Sequence, residues 1–74
     1  MTHSQFVYSS LESSALDSAA YFTNQTLLVK FRSGSLYRYF PVPPAIFHGL
    51  IAAQSKGAYF NRHLRDRFPF QRLA

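Results

Sequence analysis

The sequence predicts an α+β fold, a three-stranded antiparallel meander followed by two helices packed on one face (β-β-β-α-α). Three observations carry this. Thr26 to Arg32 and Ser35 to Phe40 have the two-residue period of strands on either side of Ser33-Gly34, the mark of a hairpin. Val42-Pro43-Pro44 then stops the sheet, because proline cannot donate to a ladder. Beyond it, Ile46, Phe47, Leu50 and Ile51 recur at the spacing of one helical stripe.

Taken in order, residues 1–12 read as a Ser-rich N-terminal arm with Phe6, Val7 and Tyr8 as an apolar patch, either loose or added as a strand at the sheet edge. Residues 13–74 form the single domain. Ala15 to Phe22 is the first strand, carrying Leu16, Ala19 and Tyr21, and Asn24-Gln25 offers a turn. A two-residue loop between the second and third strands would mix tyrosines with cations on one face. A three-residue loop, Arg32-Ser33-Gly34, with Gly34 left-handed, pairs Phe31 with Ser35, Val29 with Tyr37 and Leu27 with Tyr39, giving a clean apolar face. The opposite face then collects Leu28, Lys30, Arg32, Leu36, Arg38 and Phe40.

Pro44 suits the first turn of a helix over Ala45 to Ala53. Gly49 inside it costs about 1 kcal/mol relative to Ala, which implies close packing against a neighbour. Ser55 is placed to cap a second helix reaching about Arg67, with Phe60 and Leu64 inward, Arg62 and Arg65 outward, and an Arg62–Asp66 pair along its surface. Pro69 stops that helix, and Phe68 and Phe70 pin the tail to the body.

A chain of 74 residues without cysteine must hold its core by packing alone, for which eight Phe and five Tyr supply the area. No apolar run approaches the ~20 residues of a membrane helix, and Met1-Thr2-His3-Ser4 lacks the features of a signal peptide. The expectation is a soluble, cytoplasmic protein of bacterial style. The net charge of +5 is uneven, with every Lys and Arg at or after Lys30. Such asymmetry favours an anionic partner, nucleic acid first.

With the elements placed, the chain resembles the KTSC domain family. The matching stretches are Ser13-Ser14-Ala15-Leu16, Leu27-Leu28-Val29-Lys30-Phe31, Gly34, Tyr37-Arg38-Tyr39, Val42-Pro43 and Ser55-Lys56-Gly57-Ala58-Tyr59-Phe60-Asn61. Ala19-Ala20-Tyr21-Phe22 departs from the pattern, which there looks more like Ile-Gly-Tyr and an acidic residue. The family occurs as small bacterial proteins and at the C-terminus of some lysyl-tRNA synthetases. The resemblance implies no enzymatic activity and a suggested role in RNA binding.

The site expected from the residues is a basic, aromatic sheet face: Lys30, Arg32 and Arg38 for phosphates and Phe40 for a base, with Lys56, Arg62 and Arg65 extending the basic track. Tyr37 and Tyr39 are either stacking platforms or core, and the register favours core. The alternative partner is a protein or a second copy of the chain, held through Leu28, Leu36 and Phe40. Ser55-Lys56-Gly57 reads as a helix cap before a phosphate site, and it does not match a P-loop. Catalysis has little to stand on: Glu12, Asp17 and Asp66 are the only carboxylates, and His63 with Ser55 or Asp66 makes no more than a dyad. His3, His48 and His63 lack metal-ligand spacing, His48 reads as a partly buried structural residue, and no cofactor is expected.

Overall fold

A computed structural model describes residues 6–74. Met1 to Ser4, on which the signal-peptide reading rests, and His3 lie outside the described residues. The chain runs β1 (Phe6–Ser10), β2 (Leu16–Phe22), β3 (Leu27–Phe31), β4 (Leu36–Tyr39), α1 (Pro44–Ala52), α2 (Lys56–His63) and β5 (Phe70–Arg72). All five strands pair antiparallel in the order β1-β2-β3-β4-β5. The expected three-stranded meander is therefore the centre of a wider sheet. Of the two readings of the arm, the edge strand is realised, with Phe6 opposite Phe22 and Ser10 opposite Ser18. Leu11, assigned to the arm, is a fully buried part of the core. The tail closes the other edge by laying Phe70 against Tyr39 and Arg72 against Tyr37.

The central hairpin follows the bulged-turn register. Leu27 pairs with Tyr39 and Val29 with Tyr37, and Gly34 takes φ 99°, a conformation open to glycine without a Cβ penalty. Gly34 N–H donates to the Phe31 carbonyl and Phe31 N–H to the Ser35 carbonyl, both at 2.9 Å. In β2 the register slips between Leu16 and Ser18, leaving Asp17 as the bulged residue.

Both helices cover one face of the sheet, the one that Leu16, Ala19, Leu27, Val29 and Tyr39 make continuously apolar, whereas the other sets Lys30 and Arg38 among its apolar groups. Leu16, Leu27, Val29 and Tyr39 pack there against Val42, Phe47, Leu50, Phe60 and Leu64. Tyr21 stacks on Phe47 at 5.0 Å, and its hydroxyl donates to the Val42 carbonyl. Phe60 meets Phe31 and Tyr39 edge-on at 5.2 and 5.7 Å. In α1, Pro44 begins the helix as expected, and Phe47 and Leu50 are its buried residues. Ile51 corrects the expected stripe, since it is 37% exposed on the flank of a helix only nine residues long. His48 is likewise exposed rather than partly buried.

Gly49 does pack closely. A Cβ there would lie 2.7 Å from Tyr59 Cζ, and the Tyr59 hydroxyl donates to the Ile46 carbonyl at 2.9 Å. Ser55 caps α2 by accepting from Ala58 N–H at 3.3 Å. The helix ends at His63, four residues short of the expected Arg67. The N–H groups of Leu64 and Arg65 both turn back to the Phe60 carbonyl, and Asp66 takes φ 62°, so the chain reverses toward the β4 edge. The expected Arg62–Asp66 pair is lost with those turns; among the described residues the only ion pair joins Arg32 to Asp17.

Candidate nucleic-acid interface

Strand alternation sends every second side chain to the face that no helix covers. Directly opposed residues share a face, so the register defines rows across it. One row runs Tyr8, Ala20, Leu28, Arg38, Gln71. The next runs Ser10, Ser18, Lys30, Leu36. Beyond the first row lie Phe6 and Phe22, stacked at 5.1 Å, and Phe40 follows Arg38 two residues on. Neighbouring strands stand about 4.8 Å apart, and Lys30 and Arg38 are diagonal neighbours, roughly 7–8 Å apart. Lys30 and Arg38 are exposed, as are Phe40 at 48%, Phe6 at 46% and Tyr8 at 61%. The surface thus interleaves two cations, without partners among the described residues, with three accessible rings.

Of the seven residues expected at the site, the fold brings together Lys30, Arg38 and Phe40. Arg32 is held elsewhere. Its Nε donates to the Ser13 carbonyl at 2.9 Å, one terminal nitrogen to the Leu11 carbonyl and the other to the Asp17 carboxylate, both at 3.2 Å. With Arg32 N–H bonded to the Ala15 carbonyl at 2.9 Å, this guanidinium pins the β1–β2 connection to the end of β3. The Asp17 bulge is what turns the carboxylate to meet it. Lys56 donates to the Ala53 carbonyl at 2.7 Å, closing the end of α1. Arg62 and Arg65 are exposed on and just after α2, on the other side of the sheet from Lys30. The basic track read from the sequence is therefore divided between two faces, because helices and open face lie on opposite sides of a single layer.

Phe6 and Tyr8 were not assigned to the site in sequence, though their spacing around Val7 has the strand period that would place them on one face. Tyr39 is core, at 3% exposure, and Tyr37 is half-buried on the helix side. Neither His63–Ser55 nor His63–Asp66 forms a hydrogen bond among the described residues; the His63 ring lies against Tyr59 at 4.4 Å. No cluster of His, Asp or Glu among the described residues is placed to hold a metal, and no helix there is long and apolar enough to cross a membrane.

A sequence model of the KTSC domain matches residues 12–68. The chain belongs to the KTSC domain family. A crystal structure of a KTSC domain protein from Yersinia pestis superposes with a TM-score of 0.85 at 27% identity, covering 93% of this chain and 99% of that one. A Tsukamurella paurometabola protein is 41% identical over 59 residues, 78% of this chain and 88% of its own length. A lysine–tRNA ligase from Nostoc punctiforme is 46% identical over 50 residues, 68% of this chain. This KTSC chain spans only 9% of the length of that ligase.

Proposed function

We propose that this KTSC chain is a non-enzymatic binding module that takes single-stranded RNA across its open sheet face. The observation that carries the reading is the pairing of two cations unpartnered among the described residues, Lys30 and Arg38, with the exposed rings of Phe40, Phe6 and Tyr8 on the sheet face opposite both helices. Cations for the backbone beside rings for the bases is the combination that binds single strands without reading their sequence. The likeness to part of a lysine–tRNA ligase, an enzyme that acts on an RNA, supports the same ligand class and a cytoplasmic setting. Arg32 and Lys56 stand outside the binding set because backbone carbonyls already occupy them.

Fluorescence anisotropy of a labelled RNA strand across a salt series tests this. The affinity falls steeply with salt, and Lys30→Glu/Arg38→Glu lowers the slope of log K against log salt by about 1.4, or roughly 0.7 per lost phosphate contact. Reversing Arg62, on α2 and away from the open face, leaves the slope near wild type. Wild-type protein that binds no RNA at low salt refutes the proposal.

The exposed Phe6, Tyr8 and Phe40 also favour a second reading, self-association through the same face around Leu28 and Leu36. It predicts a dimer in sedimentation that Phe40→Ser abolishes and salt barely alters.

A further inference from the structure

On the side away from the open face, β4, β5, α2 and the 32–35 turn enclose a cleft of about 430 Å³. Its volume lies within the range of small-molecule sites. Phe31, Tyr37, Tyr39, Phe60 and Phe70 line it, with Asn61, Arg65 and Asp66 at its polar end. Phe70 stands 5.7 Å from Tyr37 and 5.6 Å from Tyr39, and it is 55% exposed, so one face of this aromatic group is accessible.

The polar groups are unusually free. The tyrosine hydroxyls with hydrogen bonds among the described residues are those of Tyr21 and Tyr59; those of Tyr37 and Tyr39, two residues that line the cleft, have none there. Arg65 has a single long bond, 3.4 Å to Asn61 Oδ1. Burial, then the neighbouring Tyr37, raise the Tyr39 hydroxyl to about 12, with Arg65 pulling it down and Asp66 pushing it up, so both charges are felt at that oxygen. Arg72 adds a second cation at the rim, 6.0 Å above the Tyr37 ring; its Nε donates to the Ala74 carbonyl at 2.9 Å and one terminal nitrogen to the cleft residue Ser35 at 3.3 Å, while the other terminal nitrogen has no partner among the described residues.

Two guanidiniums against one carboxylate favour an anion and oppose a quaternary ammonium, which an aromatic enclosure alone would otherwise suit. The aromatic wall favours a planar ring, and the Asn61 amide offers both a donor and an acceptor to its edge. We infer that the cleft binds one nucleotide, with the base against Phe70 and Tyr37 and the phosphate at Arg65 and Arg72. That nucleotide is either free or one residue of an RNA strand. Phe70 also borders the shallow groove of Arg38, Phe40, Pro69 and Gln71, so a strand on the open face reaches the cleft by crossing three-residue β5. The inference stands without the open-face reading.

The test is a titration of the folded chain with AMP, GMP, CMP and UMP, followed by amide chemical shifts. Adenosine, inorganic phosphate, tetramethylammonium and a short RNA strand serve as comparison ligands. Saturable shifts are expected at Tyr37, Asn61, Arg65 and Phe70 with at least one mononucleotide, weaker with adenosine and absent with phosphate alone. Phe70→Ala and Arg65→Ala, both at exposed positions, each weaken binding about tenfold, the scale of one lost stack or charged contact. Lys30→Glu/Arg38→Glu leaves mononucleotide binding unchanged, which separates this site from the open face. Shifts at the same residues that saturate at lower concentration with the RNA strand assign the nucleotide to RNA. The inference is overturned if no nucleotide or RNA moves these residues, if both alanine variants bind as wild type, or if tetramethylammonium binds in preference.

Discussion

Replacing Gly49 by Ala sets two effects of opposite sign against each other. In a solvated helix the change stabilises by about 1 kcal/mol, because alanine loses less backbone freedom on folding. Here the new methyl would lie 2.7 and 2.9 Å from Tyr59 Cζ and Cε2, well inside contact distance. The ring can retreat only by giving up its hydroxyl bond to the Ile46 carbonyl and its packing on His63. Overpacking costs about 1–3 kcal/mol and the lost bond about 0.5–1.5 kcal/mol. The net is a destabilisation of about 0.5–3.5 kcal/mol, each kcal/mol lowering Tm by roughly 4–8 °C in a domain of this size. Urea unfolding followed by circular dichroism measures it. In a Tyr59→Ala background the obstruction is gone, and the same Gly49→Ala change should stabilise by up to about 1 kcal/mol. The reversal of sign is the signature. Gly49→Ala that raises the midpoint in the otherwise native chain, at unchanged m, refutes the reasoning.

Arg32→Ala should destabilise by about 1–3 kcal/mol through its lost charge-assisted bonds, measured by the same unfolding assay. Arg32→Lys should recover less than half of that, since a single ammonium cannot fork to three acceptors, while Asp17→Asn should cost under about 1 kcal/mol because the ion pair is exposed. Equal stability of Arg32→Ala and wild type would leave the guanidinium no clamping role. For Tyr39, the folded pKa of about 12 lies above the ordinary value near 10, so the folded state keeps its proton longer. Its contribution to stability is complete below about pH 10 and is lost as pH climbs toward 12. Phenolate absorbance should show a step near pH 12 that Tyr39→Phe removes; a Tyr39 that titrates near 10 contradicts the burial argument.

Much of the fold was legible because local rules agreed. Gly34 demanded a left-handed residue, the two flanking strands demanded a matched apolar face, and one register satisfied both. Ser55 and Pro44 marked helix starts through groups that act within one turn of themselves. Gly49 pointed to a close neighbour without naming Tyr59. The misses share a cause: each depended on a partner distant in sequence. Phe6 to Ser10 could be arm or strand until the β2 edge was there to receive it. Phe70 to Arg72 has too few residues to show a period, and it pairs only because the turn around Asp66 delivers it to β4. Arg32 and Lys56 looked like free cations because sequence does not reveal where the carbonyls of Leu11, Ser13 and Ala53 will stand. Asn61, Arg65 and Phe70 gave no sign of a shared cleft, being set side by side by α2 and β5 rather than by spacing.

By itself, then, the sequence determined the family, the central hairpin and its register, the side of the sheet that would be buried, and a surplus of positive charge. These follow from side-chain period, turn stereochemistry and composition, all of which act at short range. Only the tertiary structure decided which cations remain available. It consumed Arg32 and Lys56 in satisfying backbone carbonyls, and left Lys30 and Arg38 on the open face beside Phe40. By packing both helices on the other face of a single-layer sheet, it set Arg62 and Arg65 on the far side, where Arg65 borders an aromatic cleft instead of extending the basic surface.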